Sequence, residues 1–394
     1  MSYPTVKILP GEDRRLRHGS PWLFSNELRM DADAKALPPG TPVRLMSGNG
    51  KILGVAHFNP HSLIAARLLT RNKDAEIDAA FFRHRLARAL ALRERLFPTP
   101  HYRLVHAEAD GLPGLVVDRF GDTVVLQLNT AGMQAMEELV LGAIEAVLRP
   151  RAIIARNDAP SRQHEGLESE VRTIKGGEVA SLELVENGLT FMADPGGGQK
   201  TGWFYDQRDN RRFVQDLARG EAALDVYSYG GGFALNALAG GASSVTAVDS
   251  SAQALELAAA SAARQGVAEE FHPERSEAFA FLDAAAQAKR RFGLVVADPP
   301  AFVKSKRDLG PGLKGYRKLA RLAAALVSEP GFLCLGCCSH HVSVEQFAAE
   351  TWAGIREAGR GGRLIRSAGA GPDHPVHPAL PETAYLKFLA YALD

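Results

Sequence analysis

Residues 224–251 read LDVYSYGGGFALNALAGGASSVTAVDSS, and the succession of element types in this stretch decides the fold. The run AALDVYS (222–228) has strand character, three glycines follow it, FALNALAG reads as a helix, and SVTAVD (244–249) is a second strand. The pattern continues downstream. GLVVADPP (293–300) and GFLCLGCC (331–338) are strand-like, while AQALELAAASAARQG (252–266) and YRKLARLAAALVS (316–328) have helical spacing. Strands alternating with helices predict an α/β, Rossmann-like, doubly wound parallel sheet from about residue 195 onward.

Upstream the texture changes. Strand-like RLVHAE, GLVVDRF, TVVLQLN and AIIARND surround the helical run MQAMEELVLGAIEAVL, and SLELVENGLTFMAD predicts a hairpin turning at Asn187-Gly188. This describes a middle α+β domain, joined at its start by the amphipathic helix IDAAFFRHRLARALALRERLF, which Pro98 and Pro100 stop. Residues 1–70, rich in Gly and Pro with short apolar runs, predict a small β domain. The expected division is therefore 1–70, 71–194 and 195–394.

With 394 residues, 46% hydrophobic, 23% charged and a net charge of +1, the composition is that of an ordinary soluble protein. The first 95 residues nevertheless carry 16 Lys+Arg against 9 Asp+Glu, which suits either a polyanion contact or a solvated surface. The N-terminal sequence lacks the apolar core of a signal peptide, and no apolar run is long enough to span a membrane. Three clustered cysteines do not make a disulfide framework. A cytoplasmic protein with no membrane partner is expected.

The cofactor half of a site is legible in the opening stretch. Gly230, Gly231 and Gly232 permit a tight turn in which backbone N–H groups approach a ligand at a helix N-terminus. Asp249 closes the next strand, where a carboxylate can accept both hydrogen bonds of a ribose diol; its alternative role is helix N-cap, which Ser250 or Ser251 could also fill. Together these features indicate an adenosine-type ligand, NAD or S-adenosylmethionine. VVADPPAF (295–302) favours the latter. Asp298 followed by two prolines makes a rigid corner able to hold a nucleobase edge, an arrangement that hydride transfer does not need.

LDVYSYGGGFALNALAGGASSVTAVDSS, ADPPAF, CCSHH and the upstream GGGQKTGWFYDQRDNRR together resemble the RlmI-type family of S-adenosylmethionine-dependent ribosomal RNA methyltransferases. RHGSPWLFSNEL looks like that family's N-terminal PUA module, HAEADGLPGLVVDRFGD and RNDAPSRQHEGLE like its middle domain, and PDHPVHPALPETAYLKFL like its closing segment. The resemblance implies a class I methyltransferase domain behind an RNA-binding PUA-like domain, forming 5-methylcytosine in large-subunit rRNA. By the motif match, Asp225, Ser228, Tyr229, Gly230, Gly232 and Phe233 would line the cofactor. Asp249 would hold its ribose, Ser250 would also meet the cofactor, Glu277 and Ala278 would lie by the adenine, and Lys200, Gln207 and Arg208 would close over it, with Asp298 beside them. The family usually has Asp where this chain has Glu277, and Thr-Gly where it has Gly230-Gly231.

The cysteines all lie in FLCLGCCSHH (332–341). On a strand Cys334 and Cys337 point to opposite faces, so they cannot share a metal ion unless Gly336 breaks the strand. No metal is expected. A Cys337–Cys338 disulfide would be strained. Cys334 and Cys337 then read as packing residues, whereas Cys338 ends its strand on the edge where Asp298 lies. Methylation at cytosine C5 needs a thiolate at C6 to activate the ring, with Asp298 stabilising its N3/N4 edge, and Cys338 is expected to be that nucleophile. His340 and His341 are either helpers to the thiol or strand-end residues.

KSKRDLGPGLKGYRK reads as a basic loop in which Lys304, Lys306, Arg307, Lys314, Arg317 and Lys318 could meet phosphates. Arg14, Arg15 and Arg17 form a second candidate RNA patch. Phe302 could stack on the base or belong to the core. Two other functions stay open: a guanine N-methyltransferase with no need of the cysteine, and a non-catalytic RNA-binding ribosome-assembly factor. The sequence leaves a homodimer open.

Overall fold

The computed structural model describes residues 3–177, 179–198 and 201–394. The chain forms two compact units, one of residues 1–180, 195–202 and 372–383, the other of residues 181–194, 203–371 and 384–394.

The first unit contains two five-stranded sheets. One runs β1-β3-β4-β5-β2, from β1 (Thr5–Lys7), β2 (Trp22–Leu23), β3 (Thr41–Met46), β4 (Ile52–Phe58) and β5 (Ala66–Thr70). Its core of Val6, Leu16, Leu23, Val43, Leu45 and Phe58 is closed by the short helices α1 (Arg14–Arg17) and α2 (Ala32–Ala36). The other runs β10-β9-β8-β7-β6, from β6 (His101–His106), β7 (Leu115–Phe120), β8 (Thr123–Leu128), β9 (Ala152–Asn157) and β10 (Glu170–Lys175). Helices α3 (Ala79–Leu96), α4 (Ala131–Ala135) and α5 (Glu137–Leu148) accompany it. The Asp78 side chain caps α3 by accepting from Phe81 N at 2.8 Å.

The second unit opens with β11 (Leu182–Glu186) and β12 (Leu189–Ala193), joined through Asn187 (φ 54°) and Gly188 (φ 82°), the left-handed pair of a tight hairpin. This hairpin, expected with the middle domain, belongs instead to the second unit. The Ser261 hydroxyl accepts from Met192 N at 2.8 Å, Gln265 donates to Thr190 O at 2.9 Å, and Phe191 packs on Trp203.

The main sheet has seven strands in the order β15-β14-β13-β16-β17-β19-β18. They are β13 (Ala222–Val226), β14 (Ser244–Asp249), β15 (Phe271–Arg275), β16 (Phe292–Ala297), β17 (Val327–Cys337), β18 (Gly362–Ala368) and β19 (Lys387–Leu393). The strands from β15 to β17 are parallel, and β19 enters antiparallel between β17 and β18. The helices are α6 (Arg208–Leu217), α7 (Gly232–Ala239), α8 (Ala252–Arg264), α9 (Ala278–Gln287), α10 (Leu309–Ala324) and α11 (Val344–Glu357). Strand order reverses between β13 and β16, so the crevice at their carboxyl ends is where a sheet of this kind binds ligands. Leu224, Val226, Val295, Leu333 and Leu335 pack with Tyr316, Leu319 and Phe347 to make the core that fixes those ends.

Helix α10 begins seven residues earlier than the apolar spacing predicts, because Gly310, Pro311 and Gly312 disguise its first turn. Proline is tolerated there, where the backbone N–H has no helical partner. Among the described residues no helix is long and apolar enough to cross a membrane.

Candidate active site

Between β13 and α7 the backbone makes a tight, strained loop. Tyr227 (φ 64°), Tyr229 (φ 49°) and Gly231 (φ 75°) are all left-handed. The glycine adopts this readily, while each tyrosine costs about 1–3 kcal/mol. Two carboxylates hold the loop in place. Asp225 Oδ2 accepts from Ser228 Oγ (2.8 Å) and from Ala234 N in the first turn of α7 (2.9 Å). Asp249 Oδ2 accepts from Tyr229 N (2.9 Å), and its Oδ1 from Ser251 N (2.9 Å). Ser251 is the residue that caps α8, so capping does not explain Asp249.

Asp225 is buried, and its Oδ1 has no hydrogen-bond partner among the described residues. Burial above all, with Asp298 adding to it, pushes its carboxyl up to about 7 against the opposing pull of Ser228, Ala234 N–H and Arg211.

Several residues expected against the cofactor also make contacts within the protein. A Cβ at Gly232 would stand 2.4 Å from Arg211 Nε, so this glycine makes room for a guanidinium that pairs with Glu186 (2.7 Å) and lies over Trp203. The Phe233 ring stacks on Phe388, with centroids 5.9 Å apart, and is core. Ala278 is core as well. Ser250 is exposed and its carbonyl accepts from Arg275, whereas Glu277 is exposed at the start of α9. Burial, and after it the Glu277 charge, pushes the Tyr227 phenol up to about 12. Lys200 lies outside the described residues.

The second half of the site stands at the ends of β16 and β17. Asp298 Oδ2 accepts from Gln207 Nε2 at 2.8 Å. Gln207 is oriented by Asn210, which donates to its Oε1 (2.7 Å) and to Gly369 O (3.1 Å). Gly336 continues β17 opposite Phe388 and does not break it. A Cβ there would fall 2.0 Å from Asp298 Oδ1, so only glycine leaves space for this carboxylate.

The three cysteines are inequivalent. Cys337 packs in the core that contains Tyr316, while Cys334 is buried outside that core, near Arg366, and burial pushes its thiol well up. Cys338 is half-buried just past β17, with Sγ 4.0 Å from the carbonyl oxygen of Pro299. The next residue anchors it: buried Ser339 bonds Tyr316 OH through Oγ (2.8 Å) and accepts from Val303 N (3.2 Å). The strand end is thereby tied to the loop that follows Asp298. His340 and His341 are exposed, His340 with its ring 5.3 Å from that of Tyr385. Among the described residues no cluster of His, Cys, Asp and Glu could hold a metal ion.

Of the basic residues, Lys304, Lys306 and Arg307 are exposed on the segment before α10, beside a groove of about 400 Å³ lined by Phe279, Phe302 and Pro311. Phe302 also packs on Tyr316. Lys314, Arg317 and Lys318 are not on a loop but on α10, and Arg317 is engaged by Glu350 (2.7 Å) and Glu357 (3.6 Å). In the first unit Arg15 meets Glu27 and Arg17 meets Asp13, whereas Arg14 has no ion pair among the described residues.

Residues 6–71 match the family model of a PUA-like domain, and residues 161–360 that of an S-adenosylmethionine-dependent methyltransferase. The chain is 34% identical to ribosomal RNA large subunit methyltransferase I of Klebsiella pneumoniae, over 98% of each chain. The chain belongs to the ribosomal RNA large subunit methyltransferase I family. Two solved structures share the fold of this family member at 20% identity. One, a SAM-dependent methyltransferase from Streptococcus mutans, has a TM-score of 0.82 with 99% and 100% of the two chains covered. The other, a methyltransferase complexed with SAH, has a TM-score of 0.84 with all of both covered.

The cofactor of this methyltransferase is S-adenosylmethionine. The residues fit it. Asp225 Oδ1 is a buried acceptor with no donor among the described residues, Asp249 uses one lone pair of each oxygen on backbone, and Gly230 carries no side chain where a Cβ would already meet Trp203 at 3.3 Å.

Proposed function

We propose that this methyltransferase forms 5-methylcytosine in large-subunit ribosomal RNA through a covalent adduct of Cys338. The observation that carries the reading is the meeting of two strand ends: the Cys338 thiol lies against the Asp-Pro-Pro corner, 4.0 Å from Pro299 O, while Asp298 is held by Gln207. The ribosomal substrate is supported by the name of the Klebsiella relative.

The chemistry follows from the ring. Cytosine C5 is too weak a nucleophile to take a methyl group unaided. Addition of the Cys338 thiolate to C6 pushes an electron pair onto N3, which takes up a proton passed on by the Asp298 carboxyl while the N4 amino group donates to its other oxygen, and C5 becomes enamine-like. Bound S-adenosylmethionine supplies an electrophilic methyl on a sulfonium. Loss of the C5 proton to a base, then elimination across C5–C6, frees Cys338. The target cytosine must be unpaired or flipped out to reach the thiol.

For the cofactor, Asp225, Ser228, Tyr229 and Gly230 form one wall and Asp249 takes the ribose diol, with Glu277 near the adenine. Lys304, Lys306 and Arg307 receive RNA phosphates beside the reacting base, and Arg14, the one of its trio that no carboxylate holds among the described residues, does so in the PUA-like domain. The test is to incubate the protein with methyl-labelled S-adenosylmethionine and rRNA from a strain lacking the gene, then identify the labelled nucleoside by mass spectrometry. 5-Methylcytidine is expected. Methylguanosine would overturn the cysteine mechanism, and no label in any nucleoside would favour a binding factor.

A further inference from the structure

Lys387 is a buried cation that the chemistry above does not use. It opens β19 directly opposite Cys337 in the antiparallel ladder, and only 3% of it is exposed. A lone ammonium is seldom buried without donating its protons. This one donates to Ser339 O at 2.6 Å and to Tyr385 O at 2.7 Å. Ser339 is the residue after Cys338, and its side chain is already bound to Tyr316 and Val303 N. The turn presenting the thiol is thus gripped by hydroxyl and carbonyl at once. Burial draws the ammonium's proton affinity down, while Cys337 and Cys338 draw it back up, so this ammonium and these sulfurs attract when ionised.

We propose that Lys387 is the positioning residue of the nucleophile, fixing the Cys338–Ser339 turn through two backbone carbonyls and placing a positive charge beside the thiol that favours its thiolate. The inference rests on the reading of Cys338 as nucleophile. Other groups face this turn: Cys337 on β17, Tyr316 on α10, Asp298 at the end of β16, His340 in the turn itself, and Tyr385 with its partner Asp206. A neutral side chain at 387 would remove the charge and leave Ser339 O and Tyr385 O without that donor.

The experiment is the pH dependence of iodoacetamide alkylation of Cys338 in the full-length protein, read by peptide mass spectrometry. Cys334 and Cys337 are fully buried and serve as unreactive internal controls. It needs no RNA and no turnover. In the wild type the midpoint is expected below the ordinary thiol value of about 8.5. In Lys387→Met it is expected to move upward, with the rate at pH 7 falling about tenfold. Lys387→Arg, which keeps charge and donors, is expected to restore most of the rate. A wild-type midpoint at or above the ordinary value overturns the inference without any variant, which covers the case in which Lys387→Met fails to fold. Superimposable profiles for wild type and folded Lys387→Met also overturn it. Should the midpoint shift as expected while Cys338→Ala still methylates RNA, the nucleophile reading fails and the lysine–thiol coupling stands. If Cys338→Ala is dead and the profiles coincide, the reverse holds.

Discussion

Gly336 and Asp298 compete for one volume: a methyl group added to the glycine would sit 2.0 Å from the carboxylate Oδ1. The strand carrying the thiol and the corner carrying the acid are therefore fitted to each other by the absence of a side chain. Gly336→Ala must displace Asp298, since the strand is held by β19 at Gly336 itself and by β16 up to Leu335. The expected result is a loss of methyl transfer of about 100-fold or more with a stability cost of about 1–3 kcal/mol. Initial rates and chemical denaturation measure the two separately.

Cys338→Ala should lower methyl transfer by about 10³-fold or more, while S-adenosylhomocysteine binding by calorimetry stays unchanged. Loss of cofactor affinity in this variant would mean that the thiol acts structurally.

Gln207→Leu takes the donor from Asp298 Oδ2 and also breaks the chain to Asn210. A hydrogen bond to a charged group is worth roughly 1.5–3 kcal/mol, so kcat should fall roughly 10- to 100-fold. Steady-state kinetics decide it. Equal damage to cofactor binding would move Gln207 from the acid to the cofactor.

Asp225 carries a pH signature. Its carboxyl is raised from an ordinary 3.8 to about 7 by burial. Between those values the folded protein without cofactor retains a proton that the unfolded chain has lost, so stability falls as pH rises through this window and levels off above it. The full span corresponds to about 4 kcal/mol. Melting temperature from pH 5 to 8 should decline in the wild type relative to Asp225→Asn, and parallel curves would contradict it.

The exposed cations before α10 should act through phosphates. Replacing Lys304, Lys306 and Arg307 together by alanine should weaken RNA binding and shallow its dependence on log salt by about 0.7 for each phosphate no longer neutralised. Arg317→Ala should leave that slope unchanged, because Glu350 and Glu357 already hold the guanidinium. Binding isotherms at several salt concentrations test both statements.

The parallel centre of the sheet was legible because its strands are apolar runs closed by Gly, Asp or Pro, and these same residues build the site. Strand β15, FHPER, escaped because it is an edge, exposed at four of five positions and carrying a proline, so no burial pattern marks it. The clustered lysines and arginines of 304–318 looked uniform in sequence. Helix α10 and its carboxylate neighbours divide them into solvated and engaged groups. Gly232 and Phe233 sit in the right motif, but their roles depend on Arg211 and Phe388, which come from elsewhere in the chain. Lys387 was invisible for the same reason: a single lysine before FLAYAL looks like the solvated end of a strand, and only the ladder opposite Cys337 reveals it as buried.

Strand β19 separates two strands that the ribosome makes before it. During synthesis β17 and β18 must stay apart, or come apart again, until residues 387–393 emerge to fill the gap. Until that insertion, the end of β17 has neither its antiparallel neighbour nor the ammonium of Lys387, and the Cys338 turn is held by the Ser339 hydroxyl alone. The candidate site is therefore incomplete in a nascent chain until synthesis has passed this strand. Limited proteolysis of ribosome-stalled chains ending before residue 387 should find β17 and β18 open to cleavage that the longer chain resists.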